Sequence, residues 1–263
     1  MHEFFRQGWT RFSLDSALID WVQAAAPIAM EVFRDPALRD QWMRCGGTWF
    51  AGVNALPNDQ RGGVPDRGVP PLTGAAVDFV KDHLGFQDFA WDRAQVSVCL
   101  PGYPQPWDGE SEQAFRFRRD RDAAHLDGLL RDANRRRSPG EQHGFILGIP
   151  LNPVATDAAP MVVYEGSHDI VRKALTERLA GIPAEAWAKE DVTEAYVQAR
   201  RVVFAECNRL AITAKPGEAY LVHRLAIHGV APWTAAPNGE RVIAYFRPNP
   251  LPDDLPSWWL DLP

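Results

Sequence analysis

The chain of 263 residues holds only three cysteines, Cys45, Cys99 and Cys207, far apart and without a Cys-x-x-Cys pair. A zinc knuckle and a disulfide framework are therefore excluded, and the three thiols are expected to be buried or inert. No apolar run reaches the roughly 18 residues of a membrane span. The first residues, Met1-His2-Glu3-Phe4-Phe5-Arg6, lack the basic region and apolar stretch of a secretory signal, so a cytoplasmic location is expected. Positive charge is in short supply too. The formal net charge of −6 and pI near 5.7 argue against a general attraction to nucleic acid or anionic membrane. There is no internal repeat and no low-complexity linker, and one domain spanning residues 1–263 is expected. What the composition has in excess is tryptophan, ten of them.

Apolar positions Leu14, Leu18, Ile19, Val22, Ile28, Val32 and Phe33 recur at helical spacing, predicting helices over 13–45 broken at Pro27 and Pro36. A short strand is predicted near Thr48 to Val53, a long loop over Pro57 to Pro71, and a helix from Thr73 to Leu84 closed by Gly85 as a left-handed cap. From Ala94 the pattern changes to strands: Gln95 to Leu100, Ala114 to Arg118, Phe145 to Leu151, Met161 to Tyr164, Leu210 to Thr213, Glu218 to Val222 and Arg241 to Phe246. A mainly helical insertion covers 169–200. Helices followed by many short strands predict a mainly β barrel or sandwich over 94–250, with the helices and loops of 1–93 packed against it.

The chemistry is concentrated in His125-x-Asp127 and, 101 residues after the Asp, His228. On extended chain, residues i and i+2 point to one face, so His125 and Asp127 can present an imidazole nitrogen and a carboxylate oxygen side by side. Two neutral imidazoles and one carboxylate leave about three octahedral positions open, which suits Fe(II) acting with O2 and a chelating co-substrate. Downstream of His228, Asn238-Gly239 is a hairpin signal. It predicts that the strand carrying His228 pairs with the strand opening at Arg241, setting a guanidinium near the metal. An arginine fork matches a carboxylate bidentately. Arg247, six residues on and on the same face, is the rival anchor.

With Gly166-Ser167-His168 after an apolar strand, and Gly217-Glu218-Ala219-Tyr220-Leu221-Val222-His223 leading into His228-Gly229, residues 94 to 248 resemble the phytanoyl-CoA dioxygenase family of Fe(II)- and 2-oxoglutarate-dependent oxygenases. The resemblance implies a double-stranded β-helix, or jelly roll, with flanking helices. It implies His125, Asp127 and His228 as iron ligands and Arg241 as the 2-oxoglutarate anchor. Two departures stand out: the gap from His228 to Arg241 is 13 residues, and Val230 replaces a serine that often helps bind 2-oxoglutarate. Gln95, Ser97 or Tyr103 is expected to complete the co-substrate site instead. The activity implied is hydroxylation of a small organic substrate, with succinate and CO2 as co-products. Asp127 favours hydroxylation over halogenation, since halogenating relatives lack the carboxylate.

The alternative is a cupin-like metal enzyme that does not use 2-oxoglutarate. A run of arginines around the motif, Arg116, Arg118, Arg119, Arg121, Arg131, Arg135, Arg136 and Arg137, reads first as a solvated face and second as a rim recruiting an anionic substrate. Trp107, Arg137, His168 and Trp233 are the candidate substrate contacts. His83, His143 and His223 are read as structural. Nucleic-acid and membrane partners are not expected, and the oligomeric state is left open.

Overall fold

The computed structural model describes residues 3–252, 254 and 256–262. The chain opens with α1 (Glu3–Gln7), β1 (Trp9–Phe12), α2 (Ser16–Arg34), α3 (Pro36–Trp42), β2 (Met43–Arg44), β3 (Trp49–Phe50) and α4 (Ala75–Leu84). Asp15 caps α2 by accepting the Ala17 N–H at 2.9 Å, and Gly85, at φ 77°, ends α4 in the left-handed conformation expected of it.

Pro27 does not break α2, contrary to the expectation. An interior proline costs about 3 kcal/mol. Beyond it, however, Ile28, Ala29 and Phe33 continue the buried stripe begun by Leu18, Trp21, Val22 and Ala25. Each large side chain so buried contributes roughly 1.5 to 3 kcal/mol, so packing outweighs the missing hydrogen bond. Pro36 is a boundary, and it is the Asp35 carboxylate before it that caps α3, through Ala37 and Leu38.

The remaining elements are β4 (Gln95–Cys99), α5 (Glu112–Asp120), β5 (Leu129–Arg131), β6 (Arg137–Pro139), β7 (Phe145–Pro150), β8 (Met161–Tyr164), α6 (Ser167–Leu179), α7 (Thr193–Glu206), β9 (Arg209–Ile212), β10 (Ala219–His223), β11 (His228–Val230), β12 (Arg241–Phe246) and α8 (Trp258–Asp261). The expected strand over Ala114 to Arg118 is the middle of helix α5. Its alternating aromatics are not buried, and Ser111 accepts the Ala114 N–H at 3.2 Å as an N-cap, so the local helix signal prevails.

A seven-stranded antiparallel sheet runs β1-β10-β7-β12-β4-β3-β2, and a three-stranded sheet runs β11-β8-β9. The alternation along each strand sorts the residues between two cores. Val96, Val98, Leu147, Leu221, Ala244 and Phe246 face the helices, whereas Ile146, Tyr220, Ile243 and Tyr245 of the large sheet meet Met161, Val163 and Ile212 of the small one. The architecture is the expected double-stranded β-helix with flanking helices.

The strand of His228 and the strand of Arg241 are not neighbours. β11 pairs with β8, Val163 opposite His228, while β12 lies between β4 and β7, with Arg241 opposite Cys99. The loop holding Asn238-Gly239 is thus a crossing between sheets rather than a hairpin. No helix among the described residues is long and apolar enough to cross a membrane.

Candidate metal centre

The site is assembled where residues 122–127 cross the start of β11. The His125 amide donates to the His228 carbonyl at 2.8 Å and the His228 amide returns to His125 at 3.1 Å. Glycine at 229 permits this approach, because a Cβ there would lie 2.2 Å from the carbonyl oxygen of Asp122. Asp122 and Ala123 both take left-handed conformations, at φ 55° and 51°, each costing on the order of 1 kcal/mol or more. The bend is held from outside: Arg209 forks onto the Asp122 carboxylate at 2.8 and 2.6 Å, and the Tyr164 hydroxyl donates to it at 3.3 Å.

One donor atom from each of His125, Asp127 and His228 falls within 4.8 Å of the others. The tautomers follow from the hydrogen bonds. His125 Nδ1 faces the Ala123 carbonyl at 3.0 Å and His228 Nδ1 faces the Ala226 carbonyl at 2.9 Å. A carbonyl only accepts, so in each neutral ring Nδ1 carries the proton and Nε2 is left a bare lone pair. His125 Nε2 lies 3.0 Å from Asp127 Oδ1, and His228 Nε2 lies 3.5 Å from Oδ2. His228 Nε2 is buried and makes no hydrogen bond. Lone pairs thus converge on lone pairs, an arrangement that a cation at their centre relieves. Two imidazoles and a carboxylate are the donor set of a divalent first-row metal.

Burial pushes the Asp127 carboxyl up, but the Arg247 guanidinium beside it is the largest opposing influence and the group is held well below the usual carboxylate range. Arg247 Nε donates to Asp127 Oδ2 at 2.6 Å, and its Nη1 donates to Gln95 Oε1 at 2.6 Å. The triad opens onto a cavity of about 770 Å³ walled also by Trp49, Tyr103, Arg118, Tyr245 and Arg247.

Arg241 is deeper. Its guanidinium is buried and hydrogen-bonds the neutral Cys99 thiol at 3.1 Å and the Tyr245 hydroxyl at 3.4 Å, while Nε has no partner. No carboxylate pairs with it among the described residues. Since Tyr245 lines the large cavity, Arg241 sits one side chain beneath that wall, and it opens instead onto a second cavity of about 210 Å³.

Gln95, Ser97 and Tyr103 all reach the large cavity, but the first two are already engaged. Gln95 bridges Arg247 and the Ala51 carbonyl, the latter at 2.7 Å, and Ser97 accepts from Trp49 Nε1 at 3.1 Å. The four candidate substrate contacts do not line the cavity. Trp107 is 46% exposed beneath the Arg118 guanidinium, and Trp233 packs against Cys45, Cys99 and Tyr103. Arg137 stacks on Tyr196, and His168 is buried against the N-terminal segment, its Nε2 3.1 Å from the Phe5 carbonyl. His168 begins a helix packed outside the barrel, so its closeness in sequence to β8 does not carry it inward.

Of the arginine run, Arg118 alone lines the cavity. Arg136 pairs with Asp191 and Glu194, and Arg116 with Glu112. Arg118, which does reach the cavity, is buried in an ion pair with Glu110. Two residues were not singled out from the sequence: Asp122, whose signal would have been its place three residues before His125, and Tyr245, which shares the inward parity of Arg241 and Arg247. Cys45 and Cys99 are buried, and Cys207 is half-buried.

No family model and no curated protein matches the chain. Among solved structures it is similar to the non-heme alpha ketoglutarate dependent carbocyclase SnoK from nogalamycin biosynthesis, at 13% identity and TM-score 0.50, over 94% of this chain and 81% of that one. It is also similar to EctD from S. alaskensis with bound Fe, at 17% identity and TM-score 0.51, over 96% of this chain and 76% of that one. At such identities the likeness is one of fold.

Proposed function

We propose that the chain is an Fe(II)- and 2-oxoglutarate-dependent oxygenase of the phytanoyl-CoA dioxygenase type. It hydroxylates a C–H bond of a small organic substrate: one oxygen atom of O2 enters the product and the other enters succinate as CO2 is released. The observation that carries this reading is the convergence of two bare Nε2 lone pairs and the Asp127 carboxylate at the edge of the 770 Å³ cavity. Bound iron, with the keto acid, supplies the oxidising chemistry.

The chain's own residues supply the rest. His125, Asp127 and His228 hold the metal through one atom each. Arg241 is a buried cation with no counter-charge among the described residues, a state that costs several kcal/mol. The distal carboxylate of 2-oxoglutarate is the anion that relieves it, with the Tyr245 hydroxyl beside it. Tyr103 and Trp49 wall the cavity where water is to be excluded. The order of His-x-Asp, His and Arg along the chain supports the narrower family reading, and the carboxylate at 127 supports hydroxylation.

One observation favours a second reading, a cupin-like metal enzyme without 2-oxoglutarate: Arg241 opens onto the smaller cavity rather than the one bearing the triad. Anaerobic titration of Fe(II) protein with 2-oxoglutarate separates the two. The proposal expects the weak visible charge-transfer band of an iron keto-acid chelate. Protein fully loaded with Fe(II) that gives no such band belongs to the second reading.

A further inference from the structure

We propose that Arg247 is a positioning residue of the metal centre, which ties up Oδ2 of Asp127 so that the carboxylate offers the metal one oxygen, Oδ1. The proposal rests on the triad being a metal site. It concerns how many coordination positions that site leaves free.

Oδ1 lies 3.0 Å from His125 Nε2, close to the roughly 3 Å between adjacent corners of an octahedron with bonds of about 2.1 Å. Oδ2 is instead committed to the Arg247 Nε–H at 2.6 Å, a short charge-assisted bond. The guanidinium cannot easily follow the carboxylate away. Nη1 is fixed on Gln95, which is fixed on the Ala51 carbonyl, and the Arg247 backbone N–H donates to Asp92 Oδ1 at 2.9 Å. All of these anchors belong to the large sheet or its flanks, while Asp127 lies in the turn between His125 and β5.

The number of donors decides what the site can do. Three donor atoms leave three octahedral positions, two for a chelating keto acid and one for O2. A carboxylate bound through both oxygens would leave only two. Arg247 commits its Nε to Asp127 and its Nη1 to Gln95, so the anchor of a keto acid's distal carboxylate is assigned to a different arginine, Arg241.

The test is the visible ligand-field spectrum of the Co(II)-loaded full chain without co-substrate, followed by 2-oxoglutarate titration. Arg247→Met is expected to shift the Co(II) spectrum as the freed Oδ2 enters the coordination sphere, and to weaken metal-dependent 2-oxoglutarate binding roughly 10-fold. Arg247→Lys, which keeps a donor, should return part of both. Gln95→Met touches neither ligand nor metal and should give a smaller shift in the same direction; it decides the matter if Arg247→Met does not fold. A Co(II) spectrum identical to wild type in folded Arg247→Met, or in Gln95→Met where that variant decides, overturns the proposal. Wild-type protein that takes up no Co(II) overturns the reading of the triad itself.

Discussion

The backbones of His125 and His228 are hydrogen-bonded to each other in both directions, so the two imidazoles enter the site as a pair whose ring centroids lie 4.8 Å apart. Residues 103 apart in sequence are thus fixed relative to one another by main chain alone, before any metal arrives. Asp127, two residues after His125, is held in addition through its side chain by Arg247.

Replacing Asp127 with Ala removes the only anionic ligand and leaves Arg247 unpaired. Succinate production coupled to substrate should fall to background, and iron retained after desalting should fall with it. A variant with full turnover would place the catalytic carboxylate elsewhere.

Arg241→Ala should raise the apparent 2-oxoglutarate constant by roughly 10- to 100-fold, because a charge-assisted pair in a buried site contributes about 1.5 to 3 kcal/mol. The Co(II) spectrum without co-substrate should not change, in contrast to Arg247→Met. Lysine at 241 should rescue only in part, keeping the charge and losing the fork. Succinate formation against 2-oxoglutarate concentration measures the first effect and absorbance the second.

Gly229→Ala tests the crossing of the two ligand-bearing segments. Its Cβ would stand 2.2 Å from the Asp122 carbonyl oxygen, a backbone atom that can move only by disturbing the Val230 N–H bond to the same oxygen at 2.9 Å. Overpacking of this kind costs about 1 to 3 kcal/mol. Chemical denaturation should show that loss, and metal binding should weaken in the protein that still folds. A variant with wild-type stability and metal affinity would mean that the strands part without cost.

Burial raises the Asp92 carboxyl to about 6, against the hydrogen bond from the Arg247 backbone and the nearby positive charge that lower it. A carboxyl whose folded pKa lies above its unfolded value of 3.8 stabilises the fold when protonated. That contribution is complete below the unfolded value and is lost as pH rises through about 6. At about 1.4 kcal/mol per unit the loss approaches 3 kcal/mol. Asp92→Asn keeps an acceptor for Arg247 and removes the titration. Urea denaturation of metal-free protein should therefore show a smaller fall in stability between pH 4 and 7 in the variant, by up to about that amount. Equal falls in both proteins would count against a raised Asp92 carboxyl.

Most strand positions were legible from short apolar or alternating runs, as at β4, β7, β8, β9, β10 and β12. The metal donors were legible from the ordered motifs around them, since His-x-Asp by itself is common by chance. Ala114 to Arg118 was misread because Phe115 and Phe117 alternate with arginines, whereas what decides the segment is the cap at Ser111 and the absence of a neighbouring strand. Pro27 was misread because a local rule cannot register the packing of Ile28 and Phe33 beyond it. The pairing of His228 with Arg241 failed for a topological reason: β11 and β12 belong to different facing sheets, so the loop between them crosses the sandwich. Arg247 appeared only as a second choice of anchor, since nothing in the sequence places its Nε on Asp127.

That contact also joins the two layers. His228 belongs to the small sheet, Arg247 extends the last strand of the large one, and Asp127 touches both. A divalent ion seated on the triad would rivet the sandwich across its open lip, and its occupancy would add RT ln(1 + [M]/Kd) to the folding free energy, about 2.7 kcal/mol at a hundred times Kd. The survival of the protein against proteolysis would then track the supply of that ion, quite apart from any turnover.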